Sequence, residues 1–187
     1  QLVLLRPDAV TALEPDTGKE IWSVPYESTN GLVVMTPVLW NGYLFVGGYA
    51  NKNMLIKLAD DGKSGEMVWK DNPEHAFSPI NVQPTLAGDH LYGFDQSGRF
   101  YGVKLPDGDR LWDTTEPVGK RPANSATAFI IRQGDRYFLF NEKGDLIVSL
   151  VDFQSHNDQV RNAALRALAD FDDARGLDLA MKYSTYG

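Results

Sequence analysis

The 187-residue chain contains no cysteine, which removes disulfides, thiolate zinc sites, iron–sulfur clusters and cysteine nucleophiles together. Histidine is scarce: His75, His90 and His156 lie too far apart in sequence to suggest a metal-binding pair. Basic side chains are in deficit, 18 against 25 acidic, and a formal net charge of −7 argues against nucleic acid as a partner. No apolar run approaches the roughly 18 residues that a membrane-spanning helix needs. No phosphate-cradling Gly loop and no His-Glu-x-x-His motif occurs. What the chain does have is a hydrophobic content of 43% with 11% aromatics, enough for a sizeable core and against wholesale disorder. The opening Gln1-Leu2-Val3-Leu4-Leu5 reads as a strand entered partway along, so a fragment or a processed product is expected.

A repeat organises most of the sequence. Gly-x-x-x-Trp occurs at Gly18–Trp22, Gly65–Trp69 and Gly108–Trp112, and the tryptophans step by 47 and 43 residues. Upstream of each lies a short apolar run ending in Leu13, Leu58 or Leu105; a fourth run ends in Leu150, and these four leucines step by 45, 47 and 45. Tyr43–Val46, His90–Phe94 and Tyr137–Phe140 each follow a turn pair, Asn41-Gly42, Gly88-Asp89 or Gly134-Asp135, of the kind that closes two-residue hairpins. Short strands at this spacing predict about four antiparallel strands per unit. Because the strands are apolar on both sides, each unit must be sandwiched between neighbours, and the expected fold is mainly β: an incomplete β-propeller of about three four-stranded blades. The periodic tryptophans are expected to cover the interfaces between blades.

Val10-Thr-Ala-Leu-Glu-Pro-Asp-Thr-Gly-Lys-Glu-Ile-Trp22 and Tyr101-Gly-Val-Lys-Leu-Pro-Asp-Gly-Asp-Arg-Leu-Trp112 resemble the repeat of the pyrroloquinoline-quinone (PQQ) type propellers. The resemblance covers about residues 1–151. It implies one of two kinds of protein: a quinone-dependent dehydrogenase, or a non-catalytic, BamB-like scaffold exported to the periplasm or cell envelope. The absence of cysteine removes the adjacent-cysteine disulfide on which many of the dehydrogenases stack their quinone, and about three blades leave a central cofactor without most of its walls. The resemblance therefore favours a protein-binding or assembly scaffold, with no cofactor and no catalytic residue assigned. Its expected partners are a protein, further blades or a second copy of itself.

Residues 152–187 depart from the repeat. Val160, Ala163, Ala164, Ala167, Leu168 and Phe171 recur at helical spacing, and Asn157 or Asp158 is suited to cap the start. Asp172 or Asp173 is suited to cap a second helix. This pair resembles a HEAT-type repeat, which implies a helical tail packed on the last blade or a seam between unrelated pieces. One such pair cannot bury its own stripe and needs a neighbour.

Chemistry-bearing residues are few. The acidic turns at 60–62 and 107–109 lack the regular oxygen spacing and later Glu of an EF-hand and read as hairpin tips. The longest connections, 23–35, 70–82 and 113–125, join one unit to the next, and loops of that length are often functional. Tyr26, Asn30, His75, Phe77, Asn81, Arg121 and Asn124 on these loops form the candidate binding face.

Overall fold

A computed structural model describes residues 1–133 and 136–149. Among them four antiparallel sheets follow one another along the chain. The first holds β1 (Leu2–Leu5), β2 (Ala9–Leu13) and β3 (Glu20–Pro25). The second holds β4 (Val38–Trp40), β5 (Tyr43–Val46), β6 (Met54–Leu58) and β7 (Gly65–Lys70). The third holds β8 (Thr85–Ala87), β9 (His90–Phe94), β10 (Phe100–Lys104) and β11 (Asp109–Thr114), and the fourth β12 (Ala128–Gln133), β13 (Arg136–Asn141) and β14 (Leu146–Ser149). In every sheet, strands adjacent in sequence are adjacent in space, the simple meander expected of blades.

This corrects the expected blade number. Two sheets have four strands and two have three, where about three four-stranded blades were expected. Counting tryptophans undercounts sheets because each Trp marks only an outer strand. The fourth sheet has no such strand among the described residues, so it carries no Trp. The first sheet has its Trp strand but begins at the strand corresponding to β5. The expected helical pair at 152–187 lies outside the described residues.

The alternation of side chains explains the stacking. In a strand, successive residues face opposite sides, and here both sides are apolar. Leu44 and Val46 of β5, with Met54 and Ile56 of β6, meet Val10, Ala12, Trp22 and Val24 of the first sheet. Their strand neighbours Phe45 and Leu55 point the other way, into a core with Phe77, Leu91, Val103 and Leu105. A third core joins Tyr92, Phe94 and Phe100 to Tyr137, Leu139 and Ile147 of the fourth sheet. Four sheets thus enclose three inter-sheet cores.

The repeat signature has a common geometry. Trp22 pairs with Ala12, Trp69 with Leu55 and Trp112 with Gly102, and beside each pair the register slips by one residue. The slip is a bulge at the residue before the Trp, and a bulge turns its strand and re-aims side chains. It also leaves Val68 and Leu111 about half exposed. The indoles then reach the next sheet. Trp22 Nε1 donates to the Gly62 carbonyl at 3.1 Å, and Trp69 Nε1 donates to the Pro106 carbonyl at 3.0 Å. Each acceptor lies in the turn that precedes the outer strand of the following sheet.

The hairpin turns follow their sequence signals. Asn41 and Gly42 both have positive φ, as a type I′ turn requires, whereas at the next hairpin Gly88 alone does, as in type II′.

Candidate functional site

The inter-sheet connections, residues 26–37, 71–84 and 115–127, all lie at one end of the sheets, beside the turns after β5, β9 and β13. Side chains and backbone bind these segments together. Asp95, buried after β9, accepts from the Ser78 N–H at 2.8 Å with one carboxylate oxygen and from the Ser97 N–H at 2.9 Å with the other. In the preceding sheet Asn53 has a similar role, donating to the carbonyls of Asn72 and His75. Asn141 does so in the following sheet, donating to the Pro117 carbonyl at 2.9 Å. A buried Asp or Asn thus ties each turn to the connection beside it, satisfying backbone groups that would be costly to bury unpaired.

Gln96 links successive sheets. Its side-chain oxygen accepts from the Ala50 N–H at 2.7 Å, its own N–H donates to the Ser78 carbonyl, and its carbonyl accepts from the Ser125 N–H, the last two at 2.9 Å. Gln83 and Thr36 exchange two hydrogen bonds of 2.8 and 2.9 Å. Sequence reasoning passed over Asn53, Gln83, Asp95 and Gln96 as site residues. Asp95 had a signal in the Asp95-Gln-Ser-Gly98 turn, but nothing in the spacing marked the two glutamines.

The seven candidate face residues fall into two groups. Tyr26 and Phe77 are buried and pack the cores, which corrects their reading as surface-lining residues: the apolar rings are drawn out of the connections to seal the gaps between sheets. His75 is part-buried, edge-on to the Trp69 ring at 5.7 Å, and its Nδ1 has no hydrogen-bond partner among the described residues. Asn30, Asn81, Arg121 and Asn124 are exposed. Asn30 takes a left-handed conformation within a single 3-10 turn, Thr29–Gly31. Asn81 donates to the Ser125 carbonyl at 3.0 Å, so it bridges two successive connections. It also lines an open cleft of about 380 Å³ with Thr127, Phe129, Phe140, Glu142 and Gly144.

Of the remaining histidines, His90 faces Asp89 at 2.7 Å and stacks on Tyr92. His156 lies outside the described residues. Among the described residues no group of three or more His, Asp or Glu side chains is placed to hold a metal ion.

Tyr26 gives the site a pH dependence. Its hydroxyl donates to the Lys52 carbonyl at 2.7 Å, and burial, then the nearby Asp71 charge, push its pKa well above the ordinary tyrosine value. Tyr101 is shifted upward as well, first by burial. A folded-state pKa above the unfolded one means that stability is full below about pH 10 and falls as pH rises past it, because only the unfolded chain ionises there. Tyr26→Phe is expected to lose about 0.5–1.5 kcal/mol at neutral pH with the hydrogen bond. It is also expected to flatten the alkaline loss of stability, as read by urea unfolding at neutral pH and at about pH 11.

Comparison with known proteins now adds the family. The sequence profile of outer membrane protein assembly factor BamB matches residues 6–157. The chain belongs to the BamB family. BamB from Moraxella catarrhalis is similar in structure, with a TM-score of 0.55 and 16% identity over 79% of this chain and 42% of that one. The computationally designed Ika8 protein is similar at a TM-score of 0.50 and 10% identity, over 80% of this chain and 46% of that one. The Pan2 WD40 domain of Neurospora crassa gives 0.50 and 14%, over 79% and 43%. At these identities the likeness is one of fold. The BamB-family chain spans less than half the length of each of these structures. Comparison with curated proteins gives no match.

Proposed function

We propose that this BamB-family chain is a non-catalytic β-propeller module that binds protein partners as an assembly scaffold, working in the cell envelope on outer membrane proteins. The observation that carries the reading is the loop face. Connections from successive sheets are tied into one rigid surface by Asn53, Asp95, Gln96 and Asn141, while Asn30, Asn81, Arg121 and Asn124 stay exposed on it. A pre-ordered polar face lowers the entropy lost on binding, and mixed amide and guanidinium groups suit the backbone of an extended polypeptide. The family's description as an outer membrane protein assembly factor supports an unfolded outer membrane protein as the ligand.

The test is fluorescence anisotropy with a labelled, unfolded outer membrane β-barrel protein held in dilute urea. Saturable binding is expected, weakened about tenfold by the combined changes Asn81→Ala, Arg121→Ala and Asn124→Ala, as loss of about 1.4 kcal/mol requires. Unchanged affinity in that variant overturns the assignment of the face. Titration with the quinone and calcium addresses the dehydrogenase alternative: a saturable red-shifted complex with dye-linked alcohol oxidation would replace the scaffold reading.

A further inference from the structure

Two Asn-Gly pairs occur in the chain, Asn30-Gly31 and Asn41-Gly42. Asparagine and glycine both have positive φ in each pair, 56° and 72° in the first and 43° and 78° in the second. All four residues are exposed. The pairs differ in what holds them. Asn41 and Gly42 close the β4–β5 hairpin, flanked directly by the Trp40–Tyr43 pair of the ladder. The Gly42 carbonyl is also held from the end of β6, accepting from the Leu58 N–H at 2.8 Å. Asn30 and Gly31 sit instead in the isolated 3-10 turn Thr29–Gly31, which buries no residue. A 3.1 Å hydrogen bond from the Leu32 N–H to the Thr29 carbonyl closes that turn.

An asparagine followed by glycine is open to a reaction within its own chain, because glycine has no Cβ to hinder the approach of its nitrogen to the asparagine Cγ. The Gly31 nitrogen gives its proton to solvent and attacks Asn30 Cγ. A C–N bond forms, the side-chain nitrogen leaves as ammonia, and a five-membered succinimide closes. Solvent water then adds to one of the two ring carbonyls. Opening at one yields aspartate; opening at the other yields isoaspartate, with the main chain routed through the former side chain. No oxidant or reductant takes part.

Ring closure bonds the glycine nitrogen to Cγ, so the asparagine ψ must rotate away from its left-handed value, 26° at Asn30. That rotation separates the two sites. At Asn41 it swings the Gly42 peptide out of the hairpin, against the Trp40–Tyr43 pairing and the Leu58 bond. At Asn30 it opens one surface turn. Openings that break few hydrogen bonds and expose no core are the least costly a protein makes.

We propose that Asn30 is a self-modification site, converting through Gly31 to isoaspartate and aspartate, while the hairpin protects Asn41. Asn30 belongs to the exposed loop face, so its conversion exchanges a neutral amide for a carboxylate there, on a chain whose net charge is already −7. Isoaspartate also inserts a methylene into the main chain of the connection between the first two sheets. Fresh and aged molecules therefore present different faces.

The test ages the full chain in mildly alkaline buffer and follows the amide-to-carboxylate mass change in the peptides carrying Asn30 and Asn41, with isoaspartate read by enzymatic methylation. Conversion is expected to be about tenfold faster at Asn30, which corresponds to about 1.4 kcal/mol of difference in opening free energy. In concentrated urea the two sites are expected to react at similar rates, since the reacting pair is the same. Equal rates in the folded chain, or faster conversion at Asn41, overturn the proposal. A preference for Asn30 that persists undiminished in urea also overturns it, because the flanking residues and not the fold would then set the site.

Discussion

Trp22→Ala is expected to lower the free energy of unfolding by about 3–5 kcal/mol, the usual loss for a large buried aromatic. Trp22 is 7% exposed and contributes to the core between the first two sheets beside Leu44, Val46 and Ile56. Its indole N–H also reaches the Gly62 carbonyl at the turn of the neighbouring sheet. One side chain therefore fills the gap and ties across it. Trp22→Phe separates the two roles, since it keeps most of the ring and loses the donor. That variant is expected to lose the hydrogen bond's share, about 0.5–1.5 kcal/mol, together with a smaller packing loss. Urea unfolding reads both as shifts of the midpoint at constant slope. A loss below about 1 kcal/mol for the alanine variant, within the range of ordinary surface changes and mild substitutions, would mean that the indole does not hold the sheets together.

The second large effect is expected from the smallest change. Gly93 lies within β9, and a Cβ added there would run into Cε2 and Cζ of Phe77, well inside van der Waals contact. Phe77 has nowhere to retreat. It is completely buried, stacked parallel to Tyr101 at 6.5 Å and tilted against Phe45 at 5.9 Å. Gly93→Ala therefore overpacks the core between the second and third sheets, and a loss of about 1–3 kcal/mol or more is expected. Phe77→Leu, itself a cavity-forming change, should restore some of that stability when combined with Gly93→Ala. The coupling in the double-mutant cycle is expected at about 0.5–3 kcal/mol, measured from the same unfolding curves. Strict additivity would show that the ring and the glycine are not in contact.

Both predictions depend on the same feature, a sheet that is apolar on both faces. That feature was legible along the chain. Tyr43–Val46 has no polar alternate residue except the hydroxyl of Tyr43, and such a strand cannot leave one side in water. The recurring Gly-x-x-x-Trp and the evenly spaced leucines gave the repeat, and Asn41-Gly42 gave a hairpin that the positive φ angles bear out. Burial of the seven loop residues was less legible. Tyr26 and Phe77 sit in connections as Asn30 and Arg121 do, and no periodicity extends through a loop to say which ring turns inward.

The repeating β architecture follows from the amino-acid pattern alone, because strand period, turn chemistry and the need to bury two apolar faces all act locally or between neighbouring units. Tertiary structure decided the rest. Among the described residues it set four sheets, two of them with three strands, and it selected Asp95, Gln96 and Asn53 as the residues that bind the loops together. It also left Phe129, Ile131, Phe140 and Leu146 exposed on the fourth sheet. These outcomes depend on which segments meet in space, and hydrogen bonds and contacts between residues tens of positions apart leave no period in the sequence.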